Sequence, residues 1–177
     1  MNKTYVILDR DGTLIKNVPY LKDPSEIFIL PGAIAGLQRL KSMHYRFGIV
    51  TNQSAIGRGL ATRQEVELVN ARMYELFQKF DISFDFLLMC PHKPDDNCFC
   101  RKPHPDLGLH AIDKFEINTT SSFMVGDKDS DIEFGKSIGL KTIRIISTYP
   151  TNISPNHLAM DLLEAAEKIY LLNEFEG

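Results

Sequence analysis

Short apolar runs alternate along the chain with longer segments of helical period. YVIL at Tyr5–Leu8 is a strand candidate that ends at Asp9, and FGIV at Phe47–Val50 is a second that ends at Thr51. Phe84–Met89 is a third, ending at Cys90. Ser122–Val125 leads into Gly126-Asp127, and Thr142–Ile146 is a fifth. Continuous apolar runs of this length suit strands of a parallel sheet covered on both faces. Between them, Ile34, Leu37, Leu40 and Met43 recur at helical spacing. Thr62-Arg63-Gln64-Glu65 reads as a capping box, with Val66, Val69, Met73, Leu76, Phe77 and Phe80 on one face after it. A short helix is expected from near Asp131, stopped at Gly139. Ser154 and Pro155 read as the N-cap and first residue of a last helix marked by Leu158, Leu162, Ala165 and Ile169. The alternation predicts a doubly wound α/β fold on a parallel sheet, in a single domain over residues 1–177. Right-handed crossovers then gather the strand C-termini on one edge, where such sheets bind ligands. The polar residues at that edge are Asp9, Thr51, Cys90 and Asp127.

Composition narrows the function classes. A formal net charge of -3 over 177 residues gives no basic field, so a nucleic-acid partner is not expected. No apolar run reaches the roughly 18 residues that suggest a membrane span. The start, MNKTYVILDRDG, lacks the apolar core and cleavage site of a secretory signal, so the cytoplasm is the expected compartment. No interface signal stands out, and a monomer is expected.

Two acidic loops sit at predicted strand ends. Asp9-Arg10-Asp11-Gly12-Thr13 offers two carboxylates two residues apart, one able to attack while its neighbour handles protons. The same residues also suit an ordinary acidic turn capped by Thr13. Gly126-Asp127-Lys128-Asp129-Ser130-Asp131 carries three more carboxylates, of which helix capping could occupy one or two. Two such loops side by side repel unless a cation lies between them, and an oxygen-only set suits Mg²⁺. Thr51-Asn52-Gln53-Ser54 supplies hydroxyls and amides for an anion, or else ordinary side-chain bonds to backbone. Arg101 and Lys102 add a planar fork and a point charge, both suited to phosphate.

All three cysteines fall in CPHKPDDNCFCRKPHP, at Cys90, Cys98 and Cys100, with His92 among them. Four soft or borderline ligands match a closed tetrahedral zinc site, structural because no position is left for water. The alternatives are a Cys98/Cys100 redox pair and buried free thiols. The first suits a cytosolic chain poorly, and the second is at odds with a loop as polar as this one.

These residues, in this order, resemble the haloacid dehalogenase (HAD) superfamily. DRDGT at 9–13 is similar to its first motif, Thr51 to its second, Lys102 to its third and GDKDSD at 126–131 to its fourth. The resemblance runs from Asp9 to about Ile146. It implies a Rossmann-like core and a Mg²⁺-dependent phosphatase in which Asp9 attacks phosphorus and Asp11 serves as acid and then base. Asp9, the Asp11 carbonyl and Asp127 would hold Mg²⁺, Thr51 and Lys102 the phosphoryl oxygens. Asp131 would stand behind them, orienting Lys128 or a metal-bound water. Strands and helices fill the intervals between motifs, so no separate cap domain fits and short loops must cover the site. CPH…CxCRKPHP resembles the zinc-containing branch, whose phosphatases act on heptose 1,7-bisphosphate or on histidinol phosphate. TNQS with Gly57-Arg58-Gly59 and RKPHP lean towards the sugar bisphosphate. So does the pair Arg58 and Arg101, ready for a second phosphate or sugar hydroxyls. Asn17, Tyr20, Asn52, Gln53, Ser54, Arg58, Arg101 and Lys128 are the expected substrate contacts. The zinc loop is short, with five residues between His92 and Cys98, as in the histidinol-phosphate members. Asp106 stands where glycine is frequent, and Asn17 where an acidic residue often lies. A catalytically silent zinc-stabilised binding module would lack a nucleophile or a metal carboxylate, and this chain lacks neither.

Overall fold

A computed structural model describes residues 3–176. Its strands are β1 (Tyr5–Leu8), β2 (Arg46–Asn52), β3 (Phe86–Cys90), β4 (Phe123–Gly126), β5 (Lys141–Ile145) and β6 (His157–Ala159). They form one six-stranded sheet in the order β3-β2-β1-β4-β5-β6, parallel throughout. The helices are α1 (Ala33–Ser42), α2 (Ser54–Gly57), α3 (Arg63–Gln78), α4 (Asp106–Phe115), α5 (Asp129–Ser137) and α6 (Leu162–Glu176).

Alternate strand residues serve opposite faces. Val6, Leu8, Ile49, Phe123 and Val125 pack with Leu37 of α1, Met73 of α3 and Ile169 of α6. Tyr5, Ile7, Val50 and Met124 pack with Ala111 of α4 and Phe134 of α5. Burying one such aliphatic or aromatic side chain is worth about 1.5–3 kcal/mol. This two-sided core offsets the cost of the charged groups buried at its edge. Helix α3 begins as its sequence demands. The Thr62 hydroxyl accepts from Glu65 N, and the Glu65 carboxylate accepts from Thr62 N. Among the described residues no helix is long and apolar enough to cross a membrane.

The doubly wound parallel sheet agrees with the sequence pattern, and the five expected strands are present with ends shifted by up to two residues. Three details differ. Ser154 and Pro155 do not start the last helix. The chain there enters β6, where Asn156 Oδ1 accepts from Thr142 N at 2.8 Å and Asn156 N donates to Thr142 Oγ1 at 3.1 Å. Helix α6 starts later, where Asp161 Oδ1 accepts from Glu164 N at 2.9 Å. Helix α4, which the pattern does not single out, fills the crossover between β3 and β4.

Candidate active site

Asp9 follows β1 and Asp127 follows β4, neighbouring strands at the point where the strand order reverses. Asp9 N donates to Val125 O at 3.0 Å, which fixes the exit of β1 against β4. The chain then folds back tightly, with Leu14 N and Ile15 N both donating to Arg10 O. Gly12 has φ of +86° at this turn, and a Cβ there would lie 2.3 Å from Asp127 Oδ2. Glycine is what allows this loop to lie against the Asp127 carboxylate.

Lys102 occupies the floor. Its Nζ lies 2.9 Å from Asp9 Oδ1 and 2.7 Å from Asp131 Oδ1, and donates to Val50 O at 2.6 Å. Burial pulls the lysine's pKa down, but the charges of Asp131 and Asp9 outweigh it and hold the ammonium protonated well above its ordinary range. For Asp9, burial is outweighed by Lys102 and Lys128, and the carboxyl is held below its usual range. Burial pushes Asp131 up despite its bond to Lys102. The backbone of Lys102 is clamped as well. Lys102 N donates to Asn52 Oδ1 and Asn52 Nδ2 donates to Lys102 O, each at 3.0 Å. Asn52, expected on the substrate, thus spends its amide on backbone.

Oxygens of Asp9, Asp127 and Asp131 lie within 4.8 Å of one another. Both Asp131 oxygens have partners, in Lys102 Nζ and Lys128 N. Asp127 Oδ1 is buried with no hydrogen-bond partner, Lys128 Nζ standing 3.9 Å away. Burial pushes Asp127 up to about 7, with Asp9 and Asp131 adding to the shift and Lys128 opposing it. An all-oxygen set short of one partner fits a hard divalent cation, with Asp9 and Asp127 facing it. Asp131, expected to orient Lys128 or a metal-bound water, accepts from the Lys128 backbone and also holds the Lys102 ammonium.

Beside this floor lies a pocket of 250 Å³. Of the expected substrate contacts, Asn17, Tyr20, Asn52, Gln53, Ser54, Arg101 and Lys128 line it, together with Asp11. Arg58 is exposed and lines neither this pocket nor the larger one next to it. Thr51 is buried, and its Oγ1 accepts from Gln53 Nε2 at 2.8 Å. Thr13 does not cap the turn, since its buried Oγ1 has no partner. The neighbouring cavity, of 860 Å³, has Gly12, Thr13 and Asp127 in its wall. Tyr149 belongs to both cavities. Its hydroxyl accepts from Asn17 Nδ2 at 2.5 Å, and Lys128 Nζ stands 5.0 Å from its ring centre. Nothing in the pattern around Tyr149 marks it. Asn70, buried and bonded to Arg10, is likewise unmarked by any motif, and Arg10 lies inside DRDGT without a role assigned to it from the sequence.

The cysteine loop leaves the end of β3. Cys100 Sγ lies 3.2 Å from Cys90 Sγ and from His92 Nδ1, and Cys98 Sγ lies 3.6 Å from Cys90 Sγ. All four donor atoms lie within 4.8 Å of one another, and no disulfide joins the three thiols. Zinc–sulfur arms of about 2.3 Å give tetrahedron edges close to these separations, so the donor set fits zinc. Burial pushes the Cys90 thiol up in the absence of a metal. The loop is braced by Gly57 N, which donates to Pro91 O at 2.8 Å, and by Arg101 Nη1, which donates to His92 O at 3.1 Å.

Residues 20–139 match the family model of the haloacid dehalogenase-like hydrolases. The chain belongs to that family. This hydrolase is 39% identical over 136 residues to a probable D-glycero-D-manno-heptose-1,7-bisphosphate 7-phosphatase of Thermoplasma volcanium, covering 76% of this chain and 93% of that protein. It is 34% identical over 147 residues to the histidine biosynthesis bifunctional protein HisB of Blochmanniella floridana, but covers only 41% of it. The solved D,D-heptose 1,7-bisphosphate phosphatase of B. bronchiseptica, complexed with magnesium and phosphate, superposes with a TM-score of 0.84 at 27% identity. That match covers 97% of this chain and 99% of the other.

Proposed function

We propose that this hydrolase is a metal-dependent phosphatase that removes the 7-phosphate of D-glycero-D-manno-heptose 1,7-bisphosphate through an aspartyl-phosphate on Asp9. The observation that carries the reading is the floor of the site. A carboxylate held ionised by a buried ammonium faces a second buried carboxylate with an unpartnered oxygen. Asp9, the Asp11 carbonyl and Asp127 would hold Mg²⁺, which neutralises the approach of a carboxylate to a phosphate dianion. Asp9 attacks phosphorus as the bond to the sugar oxygen breaks, and Asp11 gives that oxygen its proton. Water then attacks the same phosphorus, loses a proton to Asp11, and frees Asp9 and inorganic phosphate. Lys102 and Thr51 hold the phosphoryl oxygens. Cys90, His92, Cys98 and Cys100 would hold a structural zinc that fixes the loop leading to Arg101 and Lys102. The whole chain acts as one catalytic domain without a cap.

The preference for a bisphosphate has its own support. Arg10 in the pocket wall is spent on Asp11, but Arg101 has no carboxylate partner among the described residues and Lys128 stands at the same mouth. Two cations favour a second phosphate over the amine and imidazole of histidinol phosphate. The near-complete coverage of the heptose relatives points the same way. The test is kcat/KM for both substrates with Mg²⁺. Heptose 1,7-bisphosphate should be preferred by at least about tenfold, roughly 1.4 kcal/mol of transition-state binding. A preference for histidinol phosphate would reverse the assignment, and turnover by Asp9→Asn would sink the covalent mechanism.

A further inference from the structure

We infer that Arg10, braced by Asn70 and Gln53, is the positioning residue that fixes Asp11 for proton transfer; the inference rests on the phosphatase reading above. Arg10 is 1% exposed. Its Nε donates to Asp11 Oδ2 at 3.0 Å and its Nη2 to Asp11 Oδ1 at 3.1 Å, a two-pronged hold on the carboxylate. Nη2 also reaches Gln53 Oε1 at 2.9 Å, and Nη1 reaches Asn70 Oδ1 at 2.7 Å. Gln53 Nε2 closes the ring, donating to Asp11 Oδ2 at 2.7 Å and to Thr51 Oγ1. Every guanidinium nitrogen is used, as a buried arginine requires.

Asn70 is the informative member. It lies on α3 with the buried apolar residues Val66, Val69, Met73 and Phe77, and an apolar side chain in its place would leave Arg10 Nη1 without its acceptor. It lines neither cavity, so it does not reach substrate. What it does is accept from Arg10 and keep the fork turned towards Asp11. A group that donates and then recovers a proton must hold one orientation through both steps, and a planar fork supplies this where a point charge does not.

The role predicts a dependence on leaving group. An alkoxide needs its proton in the transition state, whereas p-nitrophenolate leaves as a stable anion. The value of kcat/KM reports the steps up to phosphoryl transfer, so p-nitrophenyl phosphate and glycerol 2-phosphate separate the two cases. Asn70→Ala is expected to lower kcat/KM about tenfold or more for the alkyl ester and less than about threefold for the aryl ester. Arg10→Lys should do the same, and Asn70→Asp, which keeps an acceptor oxygen, should restore most of the alkyl rate. Equal losses on both esters, or no loss, in Asn70→Ala would overturn the inference. If Arg10→Lys does not fold, Asn70→Ala alone decides, because it leaves every charge in place. Asp9→Asn and Asp11→Asn separate the failures. Turnover by the first, or a flat response to leaving group in the second, overturns the phosphatase reading. With both controls as expected, a flat Asn70→Ala removes only the role of Arg10.

Discussion

Buried and short of a partner for one oxygen, Asp127 keeps a proton up to about 7 when no cation is bound. Its folded pKa stands above the ordinary carboxylate value, so the folded state binds this proton more tightly than the unfolded chain. Stability of protein prepared without Mg²⁺ therefore falls as pH rises through the window from the ordinary carboxylate range to about 7. Thermal melts in magnesium-free buffer should give a lower Tm at pH 8 than at pH 5. Asp127→Asn, neutral at both, should flatten that slope; an equal slope in the variant would contradict the account. Asn52 makes a second prediction at this scale. Asn52→Ala removes both clamps on the Lys102 backbone and should lower kcat by about a hundredfold, as a small misplacement of a reacting group does. Mg²⁺ titrations should show cation affinity unchanged, since Asn52 touches no metal carboxylate. A fall in Mg²⁺ affinity matching the fall in kcat would assign the loss to the metal side instead.

Among the elements, the loop from Cys90 to Lys102 depends most on something other than its own packing. Residues 94–97 are exposed, and only a three-residue turn, Pro94–Asp96, gives it regular form. Chelating zinc, or Cys98→Ser, should lower both Tm and kcat while leaving Mg²⁺ affinity intact; full activity without zinc would remove the clamp from the account. Helix α6 tests a smaller contribution. Asp161→Ala removes its N-terminal cap and should cost about 1 kcal/mol, or roughly 2–4 °C in Tm. The contrast between these two elements shows what a sequence discloses. The CxH and CxC pairs and DRDGT are legible because their chemistry sits within a few residues. The capping box at Thr62 is legible for the same reason. Strand β6 is not, because three residues carry no periodicity and its pairing is set by Asn156 reaching Thr142. The start at Ser154-Pro155 misleads because a good local cap is overridden by that pairing, while Asp161, followed three residues later by Glu164, carried the true signal.

For the molecule as a whole, the site is a property of the sheet order. Lys102 and Asp9 are 93 positions apart and meet because β3, β2 and β1 lie side by side, so that the loop leaving β3 crosses the end of β2 to reach the end of β1. The motifs name the residues at this edge, but not their partners. Asn52 clamping Lys102, Asn70 bracing Arg10, and Tyr149 over Lys128 all join segments that no spacing relates. The four-ligand loop has a further consequence for how such an enzyme can change. Both of its ends are fixed near the sulfurs and imidazole, so the exposed stretch 94–97 between them is free to vary in length without moving Lys102. Lengthening a flexible loop costs little closure entropy. A short Gly-Ser insertion after Asp95 should therefore leave kcat within about twofold in zinc-loaded protein. A metal held there, as proposed, would make the mouth of the site a replaceable part, open to remodelling for new substrates while the phosphoryl chemistry behind it stays as it is.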